Sequence, residues 1–406
     1  MKDISIKRIT ACILLVITMS INSYALEVET HKTINEHIAQ NAVNGFSLGI
    51  YLEDQLGFGN GIDEKFNSLE VWKWIRDGGL YEDKPPWVIP YLRSVNHFHN
   101  PLTEGGFSGY FYGLLLSGDS AVIWAQKPLG TQSPISDYIL GGNYSWHDTR
   151  DYFYRALTSA SKTDRETYFA KTFRGMGQLM HLVEDMSVPS HTRDDAHVVG
   201  YELAVDKLRA KLDPIFLNAI ANPIPFDPSI LNLPPNPLAP IPIAKIFDAD
   251  QYSSTSPDPT VTVGTAIGLS EYANANFVSE GLLSANFQDF PYPRIQDTTI
   301  IGKSYTSPSG TYTRQYYLKN CCGETNNGNG YLLAAVDYFD YWRQKYPLFS
   351  VGLPKIPVLD DNVYKEYASL LIPRAVGYSA GLLDYFFRGT LEITPPAQVA
   401  YAFTDG

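Results

Sequence analysis

The chain has 406 residues, of which 44% are hydrophobic and 18% are charged. This composition is typical of a globular protein, and it excludes a disordered chain and a protein with several membrane spans. The formal net charge is −12, and removal of residues 1–25, which carry Lys2, Lys7 and Arg8 against Asp3, leaves about −14. So acidic a surface disfavours long polyanions, because nucleic-acid-binding proteins usually carry a basic footprint. We therefore expect no obligate nucleic-acid partner.

The N-terminal segment predicts a signal peptide. Its basic residues precede an apolar run over residues 9–21, and Ser23-Tyr24-Ala25 then supplies a small-x-small cleavage site. The run is shorter than the about 20 residues that a membrane-spanning helix needs. We therefore expect cleavage after Ala25, a mature chain that begins at Leu26, and a secreted or periplasmic protein.

The first half of the mature chain predicts helices. They cover residues 29–42, 69–76 and 148–160, and the pair Gly78-Gly79 predicts the end of the second. A longer helix follows, for which Thr163-x-x-Glu166 has the form of a capping box and Pro189 marks the end. Apolar side chains recur along it at steps of three and four residues: Phe169, Phe173, Met176, Met180 and Val183.

The second half is more varied. Residues 213–258 form a Pro-rich insertion that predicts no regular helix but is apolar enough to pack onto the protein. Helices are expected over residues 261–283, 331–346 and 364–389, and a hairpin over residues 298–318 around Ser307-Pro308-Ser309-Gly310. The sequence therefore predicts one all-α domain over residues 26–390 with a small β-hairpin insertion, followed by a tail over residues 391–406.

Cysteine contributes little to this picture. Cys12 lies in the signal peptide, so only Cys321-Cys322 remains in the mature chain. A disulfide between adjacent residues closes a strained ring, which disfavours a structural disulfide here.

The chemistry is concentrated in a short run of histidine and aspartate. His181 and Asp185 are four residues apart and share one helix face, and His191 and His197 follow closely. Imidazole and carboxylate are the usual zinc ligands besides thiolate, so this run predicts a zinc site. A polar, solvent-exposed helix end is the alternative, and it would be preferred for an isolated His-x-x-x-Asp.

Two further histidine groups belong to the same hypothesis. His97 follows Asp83 by fourteen residues, and His31 lies close to the expected mature N-terminus. We assign no metal to the remaining histidines of the mature chain, which are His37, His99 and His147.

At these residues the sequence resembles a known family, the bacterial zinc-dependent phospholipases C, which are related to the single-strand-specific S1/P1 nucleases. His181, Asp185 and His191 match the family motif His-x3-Asp-x5-His, and the segment from His97 to Pro101 is similar to its His-Phe-Tyr-Asp-Pro loop. The resemblance covers residues 26–205. It implies a phospholipase C/P1 nuclease-like helical fold.

The resemblance also implies a cluster of three zinc ions. One ion would be held by Asp83, His97, His181 and Asp185, and Asp185 would bridge to a second ion. That second ion would be bound by His31 and by the backbone amine and carbonyl of Leu26, a position where the family commonly has Trp. The third would be bound by His191, His197 and an acid, for which Glu202 is our choice and Asp194 and Glu271 are competitors.

The activity implied is hydrolysis of phosphatidylcholine-like phospholipids to diacylglycerol and a phosphorylated head group. Asp83 is the candidate that orients or deprotonates the attacking water. Arg193, Phe107 and Tyr110 are candidate substrate contacts, although core packing also accounts for aromatic residues and a salt bridge for the arginine. We expect a monomer that touches membranes peripherally. A single-strand nuclease and a non-catalytic, zinc-stabilised lipid-binding protein are the alternatives.

Overall fold

The computed structural model describes residues 27–84, 91–109, 117–133, 141–195, 200–234, 240–281, 287, 289–307, 310–346 and 354–388. The predicted signal peptide, Leu26, Tyr110, His197 and the predicted tail lie outside the described residues. The described part of the chain is mostly helical with a small sheet, in agreement with the predicted predominance of helix. None of its helices is both long and apolar enough to cross a membrane.

Helices account for most of the described secondary structure. The long ones are α1 (Val28–Gln40), α3 (Val71–Asp83), α6 (Trp146–Thr158), α7 (Lys162–Asp185), α8 (Tyr201–Ala210) and α13 (Asp361–Arg388). The shorter ones are α2 (Leu48–Asp54), α4 (Tyr91–Ser94), α5 (Ala121–Ala125), α9 (Pro214–Ala221), α10 (Ala244–Phe247), α11 (Leu269–Asn276) and α12 (Asp340–Lys345).

Helix α7 lies at the centre of the fold and packs against α1, α3, α6 and α13. Its predicted apolar stripe is buried: Phe169, Phe173, Met176, Met180 and Val183. The predicted capping box is wrong, because Ser161 caps the helix two residues earlier by accepting from the amide of Asp164. The helix ends at Asp185, before Pro189.

The helix predicted to stop at Gly78-Gly79 instead continues to Asp83 as α3. The glycines serve packing rather than termination. A Cβ on Gly78 would lie 2.9 Å from the Cα of Gly177 in α7, and a Cβ on Gly79 would lie 2.5 Å from the side-chain nitrogen Nδ2 of Asn35 in α1. Only glycine allows the backbones of α3 and α7 to approach so closely, and the close approach outweighs its low helix propensity.

The predicted hairpin is confirmed as β3 (Thr298–Ser307) and β4 (Gly310–Lys319), paired from Thr298↔Lys319 to Ser307↔Gly310. The sheet is larger than predicted, since β5 (Tyr331–Val336) and β6 (Pro357–Val358) extend it to four antiparallel strands. The helix predicted over residues 331–346 is therefore wrong for its first half, and only α12 within it is helical. A second, two-stranded sheet pairs β1 (Lys65–Phe66) with β2 (Leu69–Glu70).

The Pro-rich insertion packs onto the protein as predicted, but it is not free of regular structure. It contains α9, α10 and a 3₁₀ turn at Pro228–Asn232. Prolines begin two of these elements, where their missing amide hydrogen costs nothing. Phe216, Ile230 and Phe247 are buried. Of the helix predicted over residues 261–283, the described part up to residue 281 contains α11 and the end of a 3₁₀ turn at Pro259–Thr262.

Candidate metal centre

Three helices and one loop bring the predicted ligands together. His31 lies in the first turn of α1, Asp83 ends α3, and His181 and Asp185 lie in the last turns of α7. His97 comes from the loop after α4 and lies against them. All five side chains are almost completely buried.

Four donor atoms from these residues form one compact set. Nδ1 of His97 lies 3.0 Å from Oδ2 of Asp185 and 3.5 Å from Oδ1 of Asp83. Nε2 of His181 lies 3.2 Å from Oδ2 of Asp185 and 3.6 Å from Oδ1 of Asp83. The two ring nitrogens are 3.3 Å apart. Tetrahedral zinc with bonds of about 2.0–2.1 Å separates its ligands by about 3.3 Å, so the set matches that geometry.

Asp185 faces two donor groups at once. Its Oδ2 belongs to the set above, and its Oδ1 lies 3.3 Å from Nε2 of His31. The rings of His31 and His181 stack with their centroids 3.7 Å apart, which holds the two imidazoles side by side. This is the arrangement that a carboxylate bridging two ions requires.

The polar atoms at the centre have no hydrogen-bond partner among the described residues. These atoms are both carboxylate oxygens of Asp83, both of Asp185 and Nε2 of His31. Buried polar groups are almost always hydrogen-bonded, because leaving one unpaired costs about 1–3 kcal/mol. So many unpaired atoms directed at one another therefore fit a group of side chains that surrounds a cation.

The other ring nitrogens are held by acceptors, which fixes the tautomers. Nδ1 of His181 donates to the carbonyl oxygen of Gly79 at 2.8 Å, and Nδ1 of His191 donates to that of His97 at 2.9 Å. Nδ1 of His31 contacts Glu184 at 2.5 Å. In this arrangement the remaining nitrogens direct lone pairs at carboxylates, which is repulsive unless a cation lies between them. Ligating histidines characteristically show this pattern of outer hydrogen bonds.

A glutamate stands directly before each central aspartate, at the C-terminal ends of α3 and α7. Glu184 holds His31, and Glu82 lies 3.7 Å from Nε2 of His97. Neither helix has a basic residue in its last turn to offset the negative end of its dipole. The negative ends of the two helix dipoles therefore converge on the centre, where they favour a bound cation.

Glu82 is fixed by a network of buried donors. Arg93 donates to it through two nitrogens at 2.7 and 3.1 Å, Trp124 at 2.8 Å and Gln178 at 2.6 Å. The sequence prediction missed these residues and also Glu184. Each of the two glutamates directly precedes a predicted ligand, but the same Glu-Asp pair also occurs at Glu53-Asp54, so the pair alone does not identify them.

The pKa values in the metal-free centre reflect crowded charges. Burial opposes protonation of His97, but close contacts with Asp185 and Glu82 outweigh it and raise its pKa to about 10. Burial together with the charge of neighbouring His181 lowers the pKa of His31 to about 3. Burial raises the pKa of Asp83, and Asp185 adds to this. For Asp185 itself, nearby His181 and His191 outweigh burial and hold the pKa well below its usual value.

A third predicted group is present in part. Nε2 of His191 lies 3.1 Å from Glu202, in the first turn of α8, so the chosen acid is brought to this histidine. The competitors lie elsewhere: Asp194 accepts from the amide of Ser108, and Glu271 accepts from backbone amides of residues 249, 251, 252 and 268. His197 lies outside the described residues, as does Leu26.

The region next to Leu26 is close to the centre. Burial raises the pKa of Glu27, the first described residue, and the charges of Asp206 and, more weakly, Asp83 contribute to the rise. The described end of the chain therefore shares the electrostatic environment of Asp83.

The candidate substrate contacts that are described have structural partners. Arg193 is buried, donates to the carbonyl oxygens of Asn274 and Tyr292, and lies over the ring of Phe290. Phe107 is buried against Phe98, whose ring stacks on that of His191 at 4.4 Å. Arg193 therefore connects the backbone at Asn274 and Tyr292, and Phe107 packs behind the candidate ligand His191.

The donor set fits a divalent metal ion of the kind that imidazole and carboxylate bind. Comparison of the chain with protein-family models, curated proteins and solved structures finds no match. The case for function therefore depends on the centre itself.

Proposed function

We propose that this protein is a zinc-dependent phosphodiesterase, and specifically a phospholipase C that hydrolyses phosphatidylcholine-like lipids. The observation that carries the proposal is the set of donor atoms of Asp83, His97, His181 and Asp185, spaced as tetrahedral zinc ligands and lacking other partners. The donors are nitrogen and oxygen, the ligand types of catalytic zinc, whereas structural zinc sites are usually rich in thiolate.

The chain's own residues would divide the work as follows. His31, Asp83, His97, His181 and Asp185 would hold the ions, with Asp185 between two of them. Bound zinc would lower the pKa of a water molecule and polarise the phosphoryl group. Neither carboxylate oxygen of Asp83 has a hydrogen-bond partner among the described residues, so the oxygen that does not face the ion can orient the attacking water and accept its proton.

Support for a lipid substrate comes from charge. The net charge of −12 would repel a polynucleotide at long range, whereas a zwitterionic phospholipid carries no net charge to repel. Phosphatidylcholine is therefore preferred to single-stranded DNA as the diester.

The direct test compares hydrolysis of phosphatidylcholine and of single-stranded DNA, each with and without a chelator. We expect metal-dependent release of phosphocholine by the wild type and none by His181→Ala, with circular dichroism checking that the variant is folded. His147→Ala is the matched control, because His147 is exposed and distant in sequence from the cluster. Hydrolysis of DNA but not of phosphatidylcholine would show that the protein is a nuclease rather than a phospholipase. Zinc binding without hydrolysis of either substrate would show that it is a non-catalytic zinc protein.

A further inference from the structure

Exposed aromatic side chains are concentrated on one part of the molecule. Among the described residues, six aromatic side chains are markedly exposed, and all but Tyr154 belong to the four-stranded sheet or to the segment around α12. The five are Tyr312 (41%), Tyr338 (73%), Phe339 (69%), Trp342 (56%) and Tyr346 (42%). Exposure of aromatics singly is ordinary, but a contiguous group marks an interaction surface.

Three of these side chains share one face of a helix. Phe339, Trp342 and Tyr346 follow the spacing i, i+3, i+7 along α12 and the residues that flank it. The rings of Trp342 and Tyr346 stack with centroids 5.4 Å apart. Ile356, which is 51% exposed, lies beside the same sheet, where its amide donates to Asp337. We call Phe339, Trp342, Tyr346 and Ile356 the aromatic face.

A cavity of about 310 Å³ lies next to this face. Four tyrosines line it, together with Arg314, Asp340, Asp360 and Asn362: they are Tyr305, Tyr312, Tyr316 and Tyr338. Tyr305 and Tyr312 stack across the hairpin with centroids 5.6 Å apart. Aromatic rings combined with carboxylates are the groups that recognise quaternary ammonium ions.

The cavity also contains a cation suited to phosphate. Nη1 of Arg314 donates to the carbonyl oxygen of Asp337, and Nε lies 3.5 Å from Asp360. Its guanidinium lies over the ring of Tyr338 at 5.2 Å. Nη2 is buried and has no hydrogen-bond partner within the described part of the chain. The cavity thus places a guanidinium that can donate hydrogen bonds to phosphate next to aromatic rings that can bind an ammonium group.

We propose that this surface docks the protein on membranes of zwitterionic phospholipid, with the aromatic face in the interfacial layer and one head group in the tyrosine-lined cavity. Trp, Tyr and Phe favour the boundary between head groups and acyl chains. Arg314 would bind the phosphate, and the tyrosine rings with Asp340 and Asp360 would bind the trimethylammonium group. The acidic net charge opposes the attraction to anionic lipid on which many peripheral proteins rely, so a zwitterionic membrane is the better partner.

The proposal names a docking partner for the proposed phospholipase, but binding is measurable without turnover. None of the surface residues belongs to the metal centre. The holoprotein is therefore tested by flotation with phosphatidylcholine vesicles and, separately, for hydrolysis of a soluble phosphodiester. A protein that hydrolyses the soluble diester but does not bind vesicles would contradict the docking proposal alone. A protein that binds vesicles but hydrolyses no diester would contradict the proposed function alone.

Replacement of two aromatic side chains gives the expected loss. Phe339→Ser with Trp342→Ser should weaken vesicle partitioning by roughly tenfold or more, because the variant no longer buries two aromatic rings in the interfacial layer. Tyr154→Ser, which removes a side chain that is 65% exposed on α6, is the matched control and should bind as the wild type does. Equal partitioning of the double variant and this control would overturn the proposal.

A second measurement does not depend on a disruptive variant. On phosphatidylcholine vesicles, Trp342 fluorescence, obtained as the difference between wild type and Trp342→Phe, should shift to the blue. Tyr338→Ala should halve or further reduce binding to phosphatidylcholine but not to phosphatidylglycerol, since only the former carries the trimethylammonium group. An unshifted Trp342 signal, or stronger binding to phosphatidylglycerol, would contradict docking on zwitterionic lipid.

Discussion

Two regions of the molecule each bury histidine against carboxylate, but they differ in how their polar atoms are satisfied. His99 donates or accepts at both ring nitrogens, 2.8 Å from Ser120 and 2.7 Å from Asp248. The other oxygen of Asp248 accepts the amide of Asp250. With Glu104 this group has the residue types and spacing of a metal site. Its hydrogen bonds nevertheless account for the buried atoms without an ion.

The centre around Asp185 shows the opposite condition. Both oxygens of Asp83 and of Asp185 lack hydrogen bonds among the described residues, and the histidines reserve one nitrogen each for the interior. Both regions bury a histidine against an aspartate, although Glu104 of the first is half-buried. A histidine next to an aspartate therefore does not by itself identify a metal centre. Buried polar atoms that lack hydrogen-bond partners do.

The strongest test exchanges one buried aspartate in each region. Asp185→Asn should reduce hydrolysis by more than about a hundredfold and release metal. Loss of a residue that only supports a ligand typically costs about 10–100-fold, and loss of a direct, bridging ligand should cost more. Asp248→Asn should keep its metal. Metal per chain, by mass spectrometry of the purified protein, and initial rates are the measurements. Equal metal content in the two variants would remove the distinction between the regions.

A smaller effect is expected behind the ligands. Glu184→Leu removes the acceptor that orients His31, so we expect zinc affinity to fall about 10–100-fold while the other donors remain. Glu166→Leu, a half-buried position near the start of the same helix where the carboxylate faces Lys162, is the control. Competition with a chromophoric chelator measures both. An affinity unchanged in Glu184→Leu would show that His31 needs no such support.

The pH dependence of metal binding follows from His97. Its pKa is raised to about 10 in the metal-free centre, so at neutral pH a metal ion must displace its proton. Apparent zinc affinity should therefore rise with pH, by about tenfold per unit for each proton displaced, until pH passes about 10. Chelator competition from about pH 6 to about pH 8 tests this. A flat profile would mean that His97 is already neutral.

The smallest effect concerns the satisfied pair. His99→Phe leaves Asp248 without its partner and should lower the free energy of unfolding by about 1–3 kcal/mol. Metal content and rate should stay at the wild-type level. Urea unfolding, with His147→Ala for comparison, measures the loss. Release of metal from His99→Phe would place an ion in this second group after all.

Much of the fold could be predicted because periodicity survives in the sequence. The apolar stripe of α7 predicted its buried face, and alternation around the Ser-Pro-Ser-Gly turn predicted β3 and β4. The strand β5 could not be distinguished in this way, because its six residues are all buried. A continuous apolar run has neither the helix nor the strand period. The helix end predicted at Gly78-Gly79 was wrong for a related reason. The close packing of helices, rather than the low helix propensity of glycine, decides the role of this pair.

The ligands themselves were predictable, because His181, Asp185 and His191 form a compact motif. Their supports were not. In the sequence, Glu82 and Glu184 look like ordinary polar residues of helices, and only the fold brings them to histidines elsewhere in the chain and Arg93 of α4 to Glu82. Tautomer control depends on such tertiary contacts, for which a single sequence gives no spacing rule.

The contact between Gly78 and Gly177 has a thermodynamic consequence. His31 and Glu184 are 153 positions apart, so the donor groups are scattered in the unfolded chain and meet only when α1, α3 and α7 dock. An ion that binds only the docked state adds about 4 kcal/mol to the free energy of unfolding at a free concentration a thousand times its Kd. The free concentration of the metal ion would therefore determine the stability of the packing between α1, α3 and α7.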